Sequence, residues 1–454
     1  MELTANFGLL TLVPPIVIIV FALLTRKTFE ALVLGAILAF VMSDGIGVIG
    51  ALLDAMMRVV GDNAWMWMTL GLFGSFVALL TCSRGTYGFS QLVAKYANGP
   101  KKSLVLAWIL GIIVFMDDYL NILTVSAAMR DVSDKHKNPR EMIAYVIDST
   151  GAPVCVLVPL STWAVFFGGV FGDQAELAEL GGGMTLYYQS IPFIFYAWAA
   201  IIIVPLVALR VIPPLFGMRK AYERVERTGM VYSERSKPLN ADGVEAEAKN
   251  GNIWNFLLPI LLLIVVSVYT EDLLVGLVYA LILQLVLYLL TKTISFDVFA
   301  LQLAKGFANM IPMLFICVGA LTVKIAMDAI SLPAYIINAV LPYMTPALFP
   351  AITFVVVAGL SFITGSNWGI PAVTVPIIAP LAVLSGASVP MTLGAIVSGG
   401  TFGSHACFYS DATVLTSQAS GIDNLEHAFS QIPYGLIGAV IAVILYVIFG
   451  VALA

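Results

Sequence analysis

Two adjacent carboxylates, Asp117 and Asp118, stand at the end of an apolar run in the first half of the chain. An ionised acid among apolar groups is costly unless it is paired, hydrated or bound to a cation. Asn121 and Thr124 follow at helical spacing and would share one helix face with Asp117. Asp118 would point away, either as a second ligand or as a partner for a helix end. The stretch predicts half of a site for an ion or a polar solute.

Three further polar stretches interrupt apolar runs, and we expect all four to converge. The residues of these three are Asp148, Ser149 and Thr150; Thr364, Ser366 and Asn367; and Ser404, His405, Ser410, Asp411 and Thr413. Accompanying Gly and Pro residues free backbone carbonyls and allow close backbone approach. Hydroxyl, amide and carbonyl oxygens suit a hard cation such as Na⁺. The predicted Na⁺ ligands are Asp117, Asn121, Asp148, Ser366 and Asn367.

Each acid also has a purely structural interpretation. Asp148 precedes a Gly-Ala-Pro break and could cap a helix end, and Asp411 could do the same. The same interpretation is weaker for Asp117 and Asp118, because one cap does not need two acids. Both interpretations stay open for Asp148 and Asp411.

The histidines and two tryptophans also leave alternatives open. His405 either titrates near physiological pH or serves as an interhelical hydrogen-bond donor. His136 and His427 lie in polar stretches and are expected to be solvated. Trp163 and Trp368 either line the site or pack at an interface, and packing is the simpler interpretation.

The composition predicts an all-α polytopic membrane protein. Of its 454 residues, 60% are hydrophobic and 11% are charged, against about 25% charged in ordinary globular domains. Many apolar runs approach the roughly 20 residues that span hydrocarbon. A net charge of −5 spread over loops gives no reason to expect nucleic acid. The sequence has no nucleophile elbow and no repeated pore motif, so neither an enzyme, a cofactor nor a channel is expected.

The distribution of basic residues predicts an orientation. Twenty of the 22 Lys and Arg lie in the stretches 26–27, 84–102, 130–140, 210–252 and 292–305. The intervening stretches 43–64, 173–189 and 330–347 contain one base, Arg58. Because basic loops stay in the cytoplasm, we expect the N-terminus outside and the central linker inside the cell (inner) membrane.

The chain divides into two halves, 1–212 and 253–454, joined by a linker at 213–252. The linker shows no sustained helical period and is predicted to be a flexible tether. An offset of about 247 residues carries landmarks of the first half onto the second. The first half crosses an odd number of times, so its repeat would be inverted. Inverted repeats with broken helices at corresponding positions are the sequence signature of secondary transporters, and 103–129 predicts one re-entrant hairpin or broken helix.

Several motifs are long enough to be specific. In the first half they are Phe115-Met116-Asp117-Asp118-Tyr119-x-Asn121 and Asp148-Ser149-Thr150-x-Ala152-Pro153-Val154. In the second half they are Thr364-Gly365-Ser366-x-Trp368-Gly369, Phe402-Gly403-x-His405, Ser410-Asp411-x-Thr413 and Gln431-x-Pro433-Tyr434. Together they resemble the NhaC-type Na⁺/H⁺ antiporter family, from about residue 100 to 435.

The resemblance implies inverted repeats with paired hairpins, a homodimer and an elevator-like motion. The family includes Na⁺/H⁺ exchangers, organic-acid exchangers and amino-acid carriers. Ser404 stands where the family usually has an acid before the histidine, and this makes the second-half site less charged.

Two functions remain open from the sequence. The first is Na⁺/H⁺ antiport, in which Asp117, Asp118 or Asp148 would bind H⁺ and Na⁺ alternately, because burial disfavours an isolated charge. The alternative is a Na⁺- or H⁺-coupled carrier or exchanger of an amino acid or small carboxylate. Helix N-termini would receive the carboxylate of such a substrate.

Overall fold

The computed structural model describes residues 7–25, 27–85, 87–88, 95–240, 251–270, 272–332, 335, 345–364, 368–408 and 410–453. Within these ranges the description leaves out some side chains, including those of Thr364 and Asp411. The predicted site residues Ser366 and Asn367 lie outside the described residues.

The described residues form helices and contain no strand, which confirms the all-α prediction. The first half contains α1 (Val13–Thr25), α2 (Thr28–Asp44), α3 (Val48–Asp62), α4 (Ala64–Cys82), α5 (Pro100–Ile113), α6 (Asp118–Lys135), α7 (Arg140–Thr150), α8 (Ala152–Cys155), α9 (Thr162–Gly172), α10 (Gly183–Ser190) and α11 (Phe195–Ala208). The linker contains α12 (Phe216–Thr228). The second half contains α13 (Trp254–Thr270), α14 (Leu273–Leu290), α15 (Phe296–Asn309), α16 (Ile311–Ala329), α17 (Phe349–Thr364), α18 (Gly369–Ser385), α19 (Val389–Ala406), α20 (Asp411–Ser420) and α21 (Asn424–Leu453).

Short polar side chains fix where several apolar helices begin. Asp272 caps α14 by accepting the backbone N–H of Leu274 at 2.8 Å. Ser295 caps α15 through the N–H of Val298. These side-chain oxygens satisfy N–H groups that the start of a helix leaves without an intrahelical partner.

The helices pack into two groups. In the first group α1–α4 pack with α13–α16, and α4 crosses α15 where Gly74 and Gly306 lie close together. A Cβ added at either glycine would overlap the carbonyl oxygen of the other, so only glycine permits this approach. Ser75 Oγ donates to Leu303 O at 2.7 Å across the same crossing. The second group contains α5–α12 and α17–α21, and these helices carry or adjoin all the candidate site residues.

The two groups meet where α9 packs on α4 and α16, and where α18 packs on α16. Trp163 of α9 and Trp368, just before α18, lie with ring centroids 4.2 Å apart. Both tryptophans are buried, and Phe166 packs edge-on against Trp368 at 4.9 Å. The two tryptophans therefore pack against each other, which fits the simpler interpretation of them.

Three described helical stretches are long and apolar enough to cross a membrane: Phe29–Asp62, Leu273–Leu290 and Asn424–Leu453. The bent pair Gly183–Phe193 and Phe195–Ala208, with 47° between its parts, adds a fourth if it counts as one span. Many of the other apolar helices are shorter than the roughly 20 residues of a simple span. One break between short helices lies at the first polar stretch. There α5 ends at Ile113, α6 begins at Asp118, and the two helices pack together.

The linker is more ordered than expected, and the prediction of a tether without helical period is wrong for its described part. α12 buries Met218, Ala221, Tyr222 and Val225 on one face, a spacing of i, i+3, i+4 and i+7 that marks an amphipathic helix. α12 packs on α7 and α21. The linker residues 241–250 lie outside the described residues.

Candidate ion site

Asp148 is buried on α7 and accepts hydrogen bonds from side chains of two other helices. Its Oδ2 lies 2.7 Å from Gln431 Nε2 and 3.0 Å from His427 Nε2, both on α21. Thr413 Oγ1 on α20 approaches the same oxygen at 3.4 Å. The residue is 1% exposed, so these donors replace the water that an ionised acid needs. Asp148 therefore connects α7 to α20 and α21 and does not cap a helix start.

His427 and Gln431 contact Asp148 although they are not among the predicted site residues, and the expectation that His427 is solvated is wrong. The helix α21 already includes Asn424, so His427 and Gln431 project from one face at i, i+4 spacing. Both residues are fully buried. The i, i+4 spacing was the only hint in the sequence that the two side chains act together. Their contact with Asp148 follows only when α21 packs on α7. His427 Nδ1 and Gln431 Oε1 have no hydrogen-bond partner within the described residues.

His405 lies buried on α19 between two hydroxyl groups. Its Nε2 is 2.8 Å from Ser149 Oγ, and its Nδ1 is 2.7 Å from the hydroxyl of Tyr196 on α11. Gln431 Nε2 donates both to the backbone carbonyl of His405 and to the carboxylate of Asp148. Because both ring nitrogens of His405 have partners, the geometry fits the interhelical hydrogen-bond role. Tyr196, like His427 and Gln431, is not among the predicted site residues.

Asp117 caps α6. Its backbone is extended, with φ −155° and ψ 137°, and its Oδ1 accepts the N–H of Leu120 at 3.0 Å. Its Oδ2 accepts the hydroxyl of Thr162, at the start of α9, at 3.2 Å. The carboxylate therefore ties the start of α6 to α9, and the structural role left open for this acid is present.

The predicted helical face is wrong in one respect, because α6 begins at Asp118 and leaves Asp117 outside the helix. Asn121 and Thr124 remain on the helix, and both are buried. Asp118 is 1% exposed and lies in the first turn. The helix dipole favours a negative charge at that position.

Asn121 joins two broken helices through its amide group. Its Nδ2 lies 2.6 Å from Gly111 O, 2.9 Å from Val114 O and 3.0 Å from Thr150 O. The first two carbonyls belong to the end of α5 and the third to the end of α7. These three acceptors fix the orientation of the amide, and Oδ1 is left buried without a partner among the described residues.

Ser410 begins α20 and connects the second-half residues. Its Oγ accepts the N–H of Thr413 at 3.2 Å and donates to Ser404 O. Thr413 Oγ1 also approaches Ser404 O at 3.3 Å. The side chain of Thr150, by contrast, donates to the carbonyl of Val146 within its own helix at 2.9 Å.

Most of the described candidates thus fall into one connected cluster. It contains Asp148, Ser149, Ser404, His405, Ser410 and Thr413. Asn121 links this cluster to the Asp117–Asp118 end through the carbonyl of Thr150. Among the described residues, no group of three or more His, Cys, Asp and Glu is arranged to hold a metal ion. The oxygens near α6 are instead of the kind that suits Na⁺.

The sequence profile of the Na⁺/H⁺ antiporter family matches residues 154–451. An uncharacterized protein of Haemophilus influenzae is 26% identical over 486 residues, covering 97% of this chain and 90% of that protein. The malate-2H⁺/Na⁺-lactate antiporter of Bacillus subtilis is 34% identical over 112 residues, covering 24% of each chain.

Two solved transporter structures share the fold. The YdaH transporter of Alcanivorax borkumensis aligns with a TM-score of 0.61 at 11% identity, covering 90% of this chain and 89% of that one. MtrF of Neisseria gonorrhoeae, from a class of antimetabolite efflux pumps, aligns with a TM-score of 0.56 at 13% identity, covering 90% and 85%. The matched family and both structures are transporters, not enzymes.

Proposed function

Because the chain belongs to the Na⁺/H⁺ antiporter family, we propose that this membrane protein is a secondary active transporter that exchanges Na⁺ for H⁺. The two ions use different carboxylates. The proton binds at Asp148, and Na⁺ binds at the start of α6, near Asp117 and Asp118. No cofactor takes part, since both ions are cargo.

The surroundings of Asp148 carry the proposal. Its Oδ2 faces two N–H donors, Gln431 and His427, and one hydroxyl. N–H donors repel a cation and stabilise the ionised carboxylate, so this carboxylate is a poor ligand for Na⁺. Our proposal therefore assigns the proton, and not Na⁺, to Asp148.

The start of α6 offers carboxylate and amide oxygen atoms. Asn121 Oδ1 is buried without a partner in the described part of the chain, and the backbone N–H of Asn121 donates to Asp117 O one turn earlier. With the carboxylates of Asp117 and Asp118, this oxygen would complete a set of hard ligands for Na⁺. Ser366 and Asn367 remain predicted ligands.

The helix bounds support an internal repeat. An offset of about 247 residues carries Ala64–Cys82 onto Ile311–Ala329, and Val48–Asp62 to within a residue of Phe296–Asn309. The packing is reciprocal, because α4 packs on α15 while α16 packs on α3. In our proposal 1–212 and 253–454 are inverted repeats. The group of helices that holds the site moves past the other group as an elevator.

The orientation, the assembly and the membrane belong to the same proposal. From the basic stretches we infer that the linker lies in the cytoplasm and the N-terminus outside, in the cell (inner) membrane. The homodimer is carried over from the family resemblance alone.

A second candidate function rests on the similarity to the malate-2H⁺/Na⁺-lactate antiporter. In this alternative the chain is a Na⁺- or H⁺-coupled carrier or exchanger of an amino acid or small carboxylate. The neutral Ser404, buried beside the histidine of α19, favours it because it lowers the negative charge that an anionic substrate would meet.

Proteoliposomes that contain only this protein and an internal pH dye test the two functions. A Na⁺ gradient without organic solute should move protons. An unchanged internal pH, in protein that still shows a cooperative unfolding transition, would contradict cation exchange. Amino acids and small carboxylates would then be screened in the same vesicles.

A further inference from the structure

A cavity apart from the aspartate cluster lies between α12 and the first turns of α21. Its volume is about 500 Å³. Phe216 of α12 and Leu425 and Phe429 of α21 form the apolar part of its wall. These side chains are 75%, 46% and 58% exposed. Three large apolar side chains therefore line the cavity and remain exposed in the described part of the chain.

The charged side chains of the wall leave an excess of positive charge. Glu141 is neutralised by Arg224, whose two terminal nitrogens lie 2.7 and 2.8 Å from the carboxylate oxygens. Glu426 accepts two serine hydroxyls of the linker at 2.6 and 3.0 Å. Lys220 and Arg235 also line the cavity, and neither side chain has an ion-pair or hydrogen-bond partner within the described residues. Two unpaired bases therefore face the apolar wall.

The cavity lies at the N-terminal end of α21. Asn424–Leu453 is long and apolar enough to cross a membrane, and the cavity contacts only its first turns, at Leu425 and Phe429. The other wall, α12, is an amphipathic helix that carries bases on its exposed side. Bases beside apolar side chains at this level suit the headgroup region of a bilayer.

We propose that this cavity binds one anionic phospholipid. The lipid phosphate lies between Lys220 and Arg235, and the acyl chains cover Phe216, Leu425 and Phe429. A free inorganic or organic phosphate would satisfy the two bases but would leave the apolar wall in water. The site does not depend on which ion or solute the protein transports.

The test uses the full-length protein in detergent, with its thermal unfolding midpoint followed during titration with phosphatidylglycerol. A ligand that binds only the folded state raises the midpoint. The test variant is Lys220→Gln/Arg235→Gln. The matched control is Arg219→Gln/Lys237→Gln, which removes the same charge from the same two segments, where both bases are exposed and paired.

We expect phosphatidylglycerol to raise the midpoint of the wild type and of the control at the same half-saturating concentration. The test variant should need at least about tenfold more lipid for half-saturation, because it loses the charge-assisted contacts of both bases with the phosphate. Phosphatidylcholine and glycerol 3-phosphate should give no comparable shift. Equal half-saturation in test and control variants would overturn the proposal, as would equal responses to phosphatidylcholine or to glycerol 3-phosphate.

Discussion

Asp148 Oδ2 lies 3.0 Å from His427 Nε2, although the two residues are 279 positions apart in the chain. Both side chains are buried, so neither can exchange this partner for water. The contact joins the first half of the chain to the second at a single carboxylate. Under the proposed function, it is also where the exchanged proton binds.

Two substitutions of His427 separate donation from titration. His427→Gln keeps a side-chain N–H that can reach Asp148, so Na⁺-driven proton movement should stay within about threefold of wild type. His427→Leu leaves the carboxylate without this donor and should lower the flux more than about tenfold. Initial rates in proteoliposomes check this. Equal loss in both variants would mean that the imidazole itself must titrate.

The sequence identified the all-α class and the family, because these follow from composition and contiguous motifs. The family match confirms the resemblance drawn from those motifs. His427 and Gln431 could not be assigned in the same way. Their role depends on α21 packing against α7, and a polar stretch around His427 resembles a solvated loop when only the sequence is read.

Asp117 shows a different limit of sequence reasoning. Helical spacing placed it on a face with Asn121, but a short polar residue at a break can also leave the helix and cap it. In the structure Asp117 is the cap of α6. In the linker, by contrast, the sequence reasoning missed a helix. The apolar i, i+3, i+4, i+7 pattern of α12 lies among many charged residues that obscured it.

Asn121→Leu should destabilise the protein by about 2–3 kcal/mol, because three carbonyl oxygens lose their buried donor. The control is Ser126→Ala on the same helix. Ser126 Oγ is buried without a partner among the described residues, so its removal should cost no more than about 0.5 kcal/mol. Thermal unfolding in detergent measures both. Similar losses in the two variants would refute the joining role of Asn121.

Gly306→Ala should destabilise the first group of helices, because the added Cβ overlaps the carbonyl of Gly74. Overpacking of this kind costs about 1–3 kcal/mol. The control Gly359→Ala, on α17, adds a Cβ that meets nothing within 4 Å, and it should stabilise by about 0.5–1 kcal/mol. Unfolding midpoints test the contrast, and a neutral Gly306→Ala would contradict the close crossing of α4 and α15.

Tyr222, on the linker helix α12, predicts a dependence of stability on alkaline pH. Burial raises the pKa of Tyr222 to about 12, despite the opposing charge of Arg210, whose guanidinium lies 4.4 Å from the ring centroid. The folded state therefore favours the neutral phenol. Its contribution is complete below the unfolded pKa of about 10 and disappears as pH rises toward 12.

Compared with Tyr222→Phe, the wild type should lose about 2–3 kcal/mol across that interval. The measurement is the unfolding midpoint of both proteins from pH 8 to about 11, by which about half of the change should have occurred. A difference between wild type and variant that does not change with pH would show that Tyr222 is free to ionise in the folded protein.

The most direct test of the central claim compares two fluxes in Asp148→Asn, which preserves the shape of the side chain and removes its proton site. Proteoliposomes would be assayed for Na⁺-driven proton movement and for exchange of radioactive Na⁺ against Na⁺. We predict that proton movement falls below about a tenth of wild type while Na⁺/Na⁺ exchange continues, because Na⁺ binds at Asp117 and Asp118. Proton movement at the wild-type rate in Asp148→Asn would contradict the account.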